Sequence, residues 1–251
     1  MKKRIYYGIC VAALALSACS SNYSLVSVEG GRIPMTSAYD VNQDMEAWRI
    51  LQPYQERIDS MMRPVIGHAA RKLEAYRPES PLSNLLADVL RTSAEAKAGI
   101  KADVGVMNMG GIRNLLNEGN VTVESIYEIT PFENRLAVVT MKGKDLHDLF
   151  RQMAEVHGEG LSGASLVISA EGELLSAKVG GKEIDPEKDY QVATIDYLAE
   201  GNDRLEAFKE ATAKIEPENA TLRTLFIEYV KRVEASGKRV DAKVEGRIVE
   251  Q

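Results

Sequence analysis

The hydrophobic and polar positions fall into a series of periodic segments punctuated by glycine and proline. From about Asp40 the apolar step is three and four. Trp48, Leu51, Gln55, Ile58, Met62 and Val65 share a stripe, which predicts a long amphipathic helix weakened or ended by Pro64. A second helix follows, with Leu82, Leu85, Leu86, Val89 and Leu90 on one face and Ser83 as its N-cap. Residues 102–107 read as a buried strand running into the turn Gly110-Gly111. Residues 136–141 are a β-branched run, hence a strand broken by Gly143, and a helix over 144–156 turns Leu146, Leu149, Phe150 and Met153 inward. Short strands are expected at 165–169, 174–179 and 182–184, the last two forming a hairpin about Gly180-Gly181, and another at 190–195. A C-terminal helix carries Leu222, Leu225, Phe226, Tyr229 and Val233 on one face, and 244–249 closes a sheet. Helices alternate with strands, and the hairpin makes the sheets mixed, so the class is α/β with α+β character.

Composition narrows the classes. The chain has 251 residues, 45% hydrophobic and 27% charged, the balance of a water-soluble globular protein of one large or two small domains. A disordered chain, a collagen and a polytopic membrane protein are excluded. The formal charge is −6 with no basic block, which argues against nucleic acid, whose binding needs Lys and Arg to displace phosphate counterions. At the N-terminus Lys2, Lys3 and Arg4 precede an apolar stretch over 5–16, shorter than the ~20 residues that span a bilayer, which reads as a signal peptide. Leu16-Ser17-Ala18-Cys19 resembles the lipobox of bacterial lipoproteins, and a polar Ser/Asn-rich stretch follows it. That resemblance implies cleavage before Cys19 and lipidation of its thiol; an ordinary cleavage site with an incidental Cys is the alternative. The expected organisation is a signal over 1–18, a tether over 19–38, a helix over 39–66 and a folded domain over 67–251. Cys10 leaves with the signal, so the folded part has no cysteine for a disulfide, a nucleophile or a zinc site. The body is expected in the bacterial cell envelope, facing the periplasm or the surface and held to the membrane by lipid alone.

Several chemistries find no support. His68, His147 and His157 are the only histidines, and the spacing of the last two cannot serve one ion; a hydrolytic metal centre needs three or more ligands in fixed geometry. Gly-x-Ser-x-Gly and Walker sequences are missing. Gly158, Gly160 and Gly163 read as a surface loop rather than a phosphate cradle.

Three segments stand out. Asn108-Met109-Gly110-Gly111-Ile112-Arg113 ends a buried strand, where α/β sheets place ligands; glycines admit close approach and Arg113 offers a fork of donors. Taken alone, a tight turn with a solvated Arg accounts for it more simply. Pro131-Phe132-Glu133-Asn134 presents a ring from a loop, although a core Phe is the simpler reading of that segment by itself. Tyr197 and Asp203 sit six apart across Gly201, suiting a ring that stacks and a carboxylate that accepts two hydroxyl protons; a helix cap is the bland alternative. Together they suggest a nucleoside: two loop aromatics sandwich a base, at ~1–3 kcal/mol per stacked base, an acid reads ribose hydroxyls, and an Asn amide reads a base edge.

These motifs, in this order, resemble the C-terminal, substrate-binding domain of the 5′-nucleotidases. Asn108 to Arg113 resembles the family's Asn-x-Gly-Gly-Ile-Arg, and Pro131 to Asn134 its Pro-Phe-x-Asn. Residues 190–194 with 197–203 are similar to its Tyr-x-Val-Ala-Thr and aromatic-Leu-Ala-x-Gly-Gly-Asp, with Asn202 in place of a Gly. Residues 83–88 resemble its Gly-Asn-Leu-Ile-Ala-Asp, with Ser83 for the Gly. The resemblance implies a four-layer α/β/β/α domain of two mixed sheets, with the helix over 39–66 matching the family's interdomain linker. It implies a substrate site of Asn108, Gly110, Gly111, Arg113, Phe132, Asn134, Tyr197 and Asp203, with Phe132 and Tyr197 clamping the base. A basic residue often found in the upstream loop corresponds to Arg77. The ligand would be a nucleoside monophosphate or nucleoside. The family's metallophosphatase domain has no counterpart in the sequence, so this chain is expected to hold no cofactor and no catalytic residue, the divalent metals belonging to a partner phosphatase chain.

Overall fold

A computed structural model describes residues 25–251. The expected signal over 1–18, Cys19 and the first part of the expected tether lie outside the described residues. The chain divides between Leu51 and Gln52, and every sheet belongs to the second unit. That division falls inside the first helix, α1 (Met45–Met62). The helix begins later than the apolar pattern suggested. Asp44 caps it, its Oδ1 accepting from the amides of Glu46 and Ala47, and a 3₁₀ turn (Ser37–Asn42) comes first. None of its residues is buried, and Val65 lies beyond it in β1 (Val65–Ala69).

The second helix, α2 (Pro81–Ala98), starts two residues before the expected cap, Ser83. Ser80 is the N-cap and accepts from the amide of Ser83, which sits buried inside the first turn, while Pro81 occupies a position whose amide needs no partner. The remaining elements are β2 (Val104–Met107), β3 (Gly119–Thr122), α3 (Val123–Ile129), β4 (Leu136–Lys142), α4 (Gly143–Glu155), β5 (Gly160–Ser162), β6 (Ala164–Ile168), β7 (Leu174–Val179), β8 (Lys182–Glu183), β9 (Asp189–Ile195), α5 (Asp196–Ala199), β10 (Ala213–Ile215), α6 (Leu222–Ala235) and β11 (Ile248–Glu250).

The sheets are mixed, as the hairpin β7–β8 required. A five-stranded sheet has the order β10-β4-β9-β2-β5, with β2 and β9 parallel and the other pairs antiparallel. A four-stranded sheet has the order β11-β6-β7-β8, with β11 parallel to β6. A third element was not expected: β1 and β3 form a separate antiparallel ribbon, against which α6 packs. Helix α2 packs on β2, β5 and β9, and α4 touches both β4 and β7, so it contacts the two larger sheets. The core is continuous, and Phe150, Phe208 and Phe226 are fully buried in it.

Topology decides what gathers at one sheet end. The C-terminal ends of the parallel neighbours β2 and β9 release residues 108–113 and 196–203 side by side. Antiparallel β4 pairs Leu136 with Ile195, so the loop entering β4 arrives there too. Antiparallel β5 pairs Gly160 with Met107, which delivers residues 157–159 to the same place.

Candidate functional site

At that sheet end lies a cleft of about 270 Å³, lined by Asn108, Gly110, Gly111, Phe132, Asn134, Tyr197 and Asp203. The volume is near the lower end of small-molecule pockets. Seven of the eight expected residues therefore converge. Arg113 does not line the cleft: its guanidinium folds back to donate to the carbonyl of Gly110 at 3.3 Å, and its side chain is exposed.

Phe132 is not a core residue. It is 48% exposed while the chain's three other phenylalanines are buried. The reason lies behind it. Arg223, on α6 and almost fully buried, donates through Nε to the carbonyl of Thr130 (3.2 Å) and through Nη2 to those of Pro131 (2.6 Å) and Phe132 (3.3 Å). Nη1 pairs with Glu133, and the guanidinium lies 4.0 Å from the centroid of the Tyr127 ring. One side chain thus satisfies three carbonyls of a loop that no ladder holds, and the ring is left facing outward.

Tyr197, at the start of α5 and 42% exposed, is held differently. Its hydroxyl donates to Asp203 Oδ1 at 2.9 Å, which pushes the phenol's pKa up, and its carbonyl accepts from Asn202 Nδ2 at 2.7 Å. Asp203 adopts φ 54° and Arg204 φ 64°, two successive left-handed residues that turn the carboxylate back over the sheet end. Asp203 Oδ2 accepts from Asn108 Nδ2 at 2.5 Å. Asn108 is only 4% exposed, and its Oδ1 is a buried acceptor with no donor. Gly111 crowds it: a Cβ there would meet Asn108 Oδ1 and the Met107 side chain at 2.7 Å each.

Three residues behind the cleft escaped the motif reading or were only glimpsed. Arg223 breaks the apolar face of α6, standing three, four and seven positions before Phe226, Ile227 and Val230; a charge on such a stripe was the available signal. Glu159 lies between Gly158 and Gly160, which are buried rather than on a surface loop, with Gly160 in β5. Gly158 needs its φ of 104° and its missing side chain, since a Cβ would fall 2.3 Å from the carbonyl oxygen of Pro78. Glu159 is 3% exposed; one oxygen accepts the amide of Met109 and the other a guanidinium N–H of Arg77. Burial pushes this carboxyl up to about 7, with Arg77 and the Met109 amide pulling the other way.

Among the described residues no three His, Cys, Asp or Glu side chains converge so as to hold a metal ion, and no helix is long and apolar enough to cross a membrane. His68 faces Glu234 (3.0 Å) and His157 faces Glu250 (3.5 Å), on separate elements.

The domain is mixed α/β and gathers two exposed rings, an amide and a carboxylate at one sheet end. The chain belongs to the 5′-nucleotidase C-terminal domain family, whose model matches residues 65–210. It is 32% identical over 167 residues to the endonuclease YhcR of Bacillus subtilis, covering 63% of this chain and 13% of that protein. It is 32% identical over 242 residues to the cell wall protein Lmo0130 of Listeria monocytogenes, covering 85% of this chain and 30% of the relative. The crystal structure of a 5′-nucleotidase precursor from Thermus thermophilus aligns over 83% of this chain and 43% of its own, at 27% identity and a TM-score of 0.72. The chain thus spans under a third of the length of these two curated relatives.

Proposed function

We propose that this chain is the nucleotide-recognition half of a split 5′-nucleotidase, anchored in the bacterial cell envelope through lipid on Cys19. The observation that carries the reading is the convergence of Phe132, Tyr197, Asn108 and Asp203, from three distant segments, on one cleft. Phe132 and Tyr197 take the two faces of the base. Asp203 keeps lone pairs free beside its two protein donors and accepts ribose hydroxyls. The orphaned Asn108 Oδ1 supports the same reading, because a buried acceptor without a donor costs ~1–3 kcal/mol that a ligand N–H or O–H removes. Arg113 is positioned to swing from Gly110 toward an α-phosphate.

Bond breaking is assigned to a separate metallophosphatase chain. Its docking surface is the apolar stripe around Trp48 on α1, directly ahead of the family-matched segment. Calorimetry with adenosine and AMP tests recognition: the wild type binds both, and the double variant Phe132→Ala, Tyr197→Ala loses at least tenfold. Mixing with a lone metallophosphatase chain tests the split enzyme. No complex and no gain in AMP hydrolysis overturns that part.

A second reading is a lipid-anchored nucleoside binder with no catalytic partner. It is favoured by the origin of all seven lining residues of the cleft within residues 108–203 of this one chain. Adenosine binding abolished by the double change, with no phosphatase recovered alongside the protein, decides for it.

A further inference from the structure

We propose that Glu159 is a positioning residue whose carboxylate, gripped between Arg77 and the Met109 amide, holds the 108–111 turn in place against the cleft only while it is an anion. Its bearing on ligand affinity rests on the nucleoside reading above; its hold on the turn does not.

The geometry is specific. The pairing of Gly160 with Met107 puts Glu159 beside the end of β2, at the point where the chain turns into Asn108 and Met109. Oε2 accepts the Met109 amide, one bond beyond the residue whose side chain lines the cleft, and Oε1 accepts from Arg77 Nη2. Arg77 Nε donates in turn to the carbonyl of Gly158 at 2.8 Å, so the guanidinium grips the segment at two points. Both carboxyl oxygens therefore face donors. A proton added to either occupies a lone pair and removes the charge that both donors bind, so the neutral acid loosens its hold on Arg77 and on the turn.

Two charges act on the group. Arg77, from the loop before α2, favours the anion; Asp203, from the loop after α5, opposes it. Glu79, on the same loop as Arg77, is otherwise engaged, accepting from the amides of Glu245 and Arg247 at 2.8 Å each and from Asn84 Nδ2 at 2.6 Å. His157, two residues away, faces Glu250. With burial the largest influence, the carboxyl is pushed up to about 7, so the turn is held or released across neutral pH.

Adenosine is the probe of choice because it carries no group that titrates between pH 5.5 and 8.5. Its affinity for the wild type rises about tenfold from pH 6 to pH 8, following the anionic fraction of a group with that midpoint. Glu159→Gln binds at least tenfold more weakly at pH 8 and shows no pH dependence. In the ligand-free protein, the NMR shift of the Met109 amide titrates with a midpoint near 7. It is flat in Glu159→Gln, and in Arg77→Met, which keeps the carboxylate but withdraws its cation, the midpoint moves upward. A wild-type Met109 amide with no inflection, or the same inflection in Glu159→Gln, overturns the proposal. If no adenosine binds at any pH, the nucleoside reading fails, and the Met109 titration still decides the role of Glu159 in the turn.

Discussion

The two aromatic walls of the cleft are built on opposite plans. Phe132 owes its exposure to its backbone: Arg223, buried beneath, fixes the carbonyls on either side of the ring and leaves the side chain nothing to do inside the protein. Tyr197 owes its pose to its own functional group, whose hydroxyl is spent on Asp203 at the surface. The first device is expensive to remove and invisible to a ligand. The second is cheap to remove and competes with any ligand hydroxyl for the same carboxylate. A buried hydrogen-bonded charge acts through the energy of leaving its partners unsatisfied, whereas an exposed pair exchanges readily with water.

The largest effect should come from the Phe132 wall. Arg223→Met strips the donors from three loop carbonyls, while Glu133, whose side chain is 76% exposed, returns to water at little cost. The expected loss is about 3 kcal/mol, read as a shift in the urea midpoint at unchanged slope. Glu133→Gln should cost under about 1 kcal/mol. If Arg223→Met costs as little as Glu133→Gln, the loop is held by something other than the guanidinium and the contrast between the walls collapses.

Next in size is a pH dependence. The folded protein keeps the Glu159 proton up to about pH 7, while the unfolded chain releases it near 4.5. Between those values the native state binds more protons, so this group's contribution to stability falls as pH rises from about 4.5 to about 7 and is level above it. The fall is at most on the order of 3 kcal/mol. Urea melts at pH 5 and pH 7.5 should show it in the wild type and not in Glu159→Gln. A wild-type protein gaining stability from this group over the same interval would reverse the sign and show that Arg77 outweighs burial. The direction sets stability against function, since the anion that holds the 108–111 turn is the form the interior tolerates less.

What the sequence made legible follows the same division. Strands β4 and β9 and helices α4 and α6 carry their pattern within about a dozen residues, and their apolar faces are the ones buried. Strand β5 has three residues, β10 three exposed ones, and β1 pairs with β3 more than fifty positions away; each exists because of a partner strand rather than its own periodicity. Within the site, the groups that face outward were readable because loop motifs concentrate them. The groups behind were not, apart from Arg77, which only the family resemblance picked out. Arg223 meets Glu133 across 90 positions and Glu159 meets Met109 across 50, and no local pattern encodes such a meeting. Arg113 shows the converse: its motif is intact, yet the guanidinium folds back on the carbonyl of Gly110 within its own turn.

The smallest effect belongs to the Tyr197 wall, and its sign is the informative part. Tyr197→Phe removes the hydroxyl that occupies Asp203 Oδ1 and keeps the ring. Because the pair is exposed, stability should change by less than about 0.5 kcal/mol. With that oxygen free and the stacking face intact, adenosine has one fewer protein donor to displace before its ribose hydroxyls reach Asp203, and its affinity should rise about threefold, equivalent to roughly 0.6 kcal/mol. The 2′,3′-dideoxy analogue, which has no ribose diol to bring to Asp203, should show no such gain. A fall in adenosine affinity instead would mean that the hydroxyl itself touches the ligand, or that the ring depends on Asp203 to stand opposite Phe132. The second outcome would make the Tyr197 wall as dependent on its support as the Phe132 wall is on Arg223.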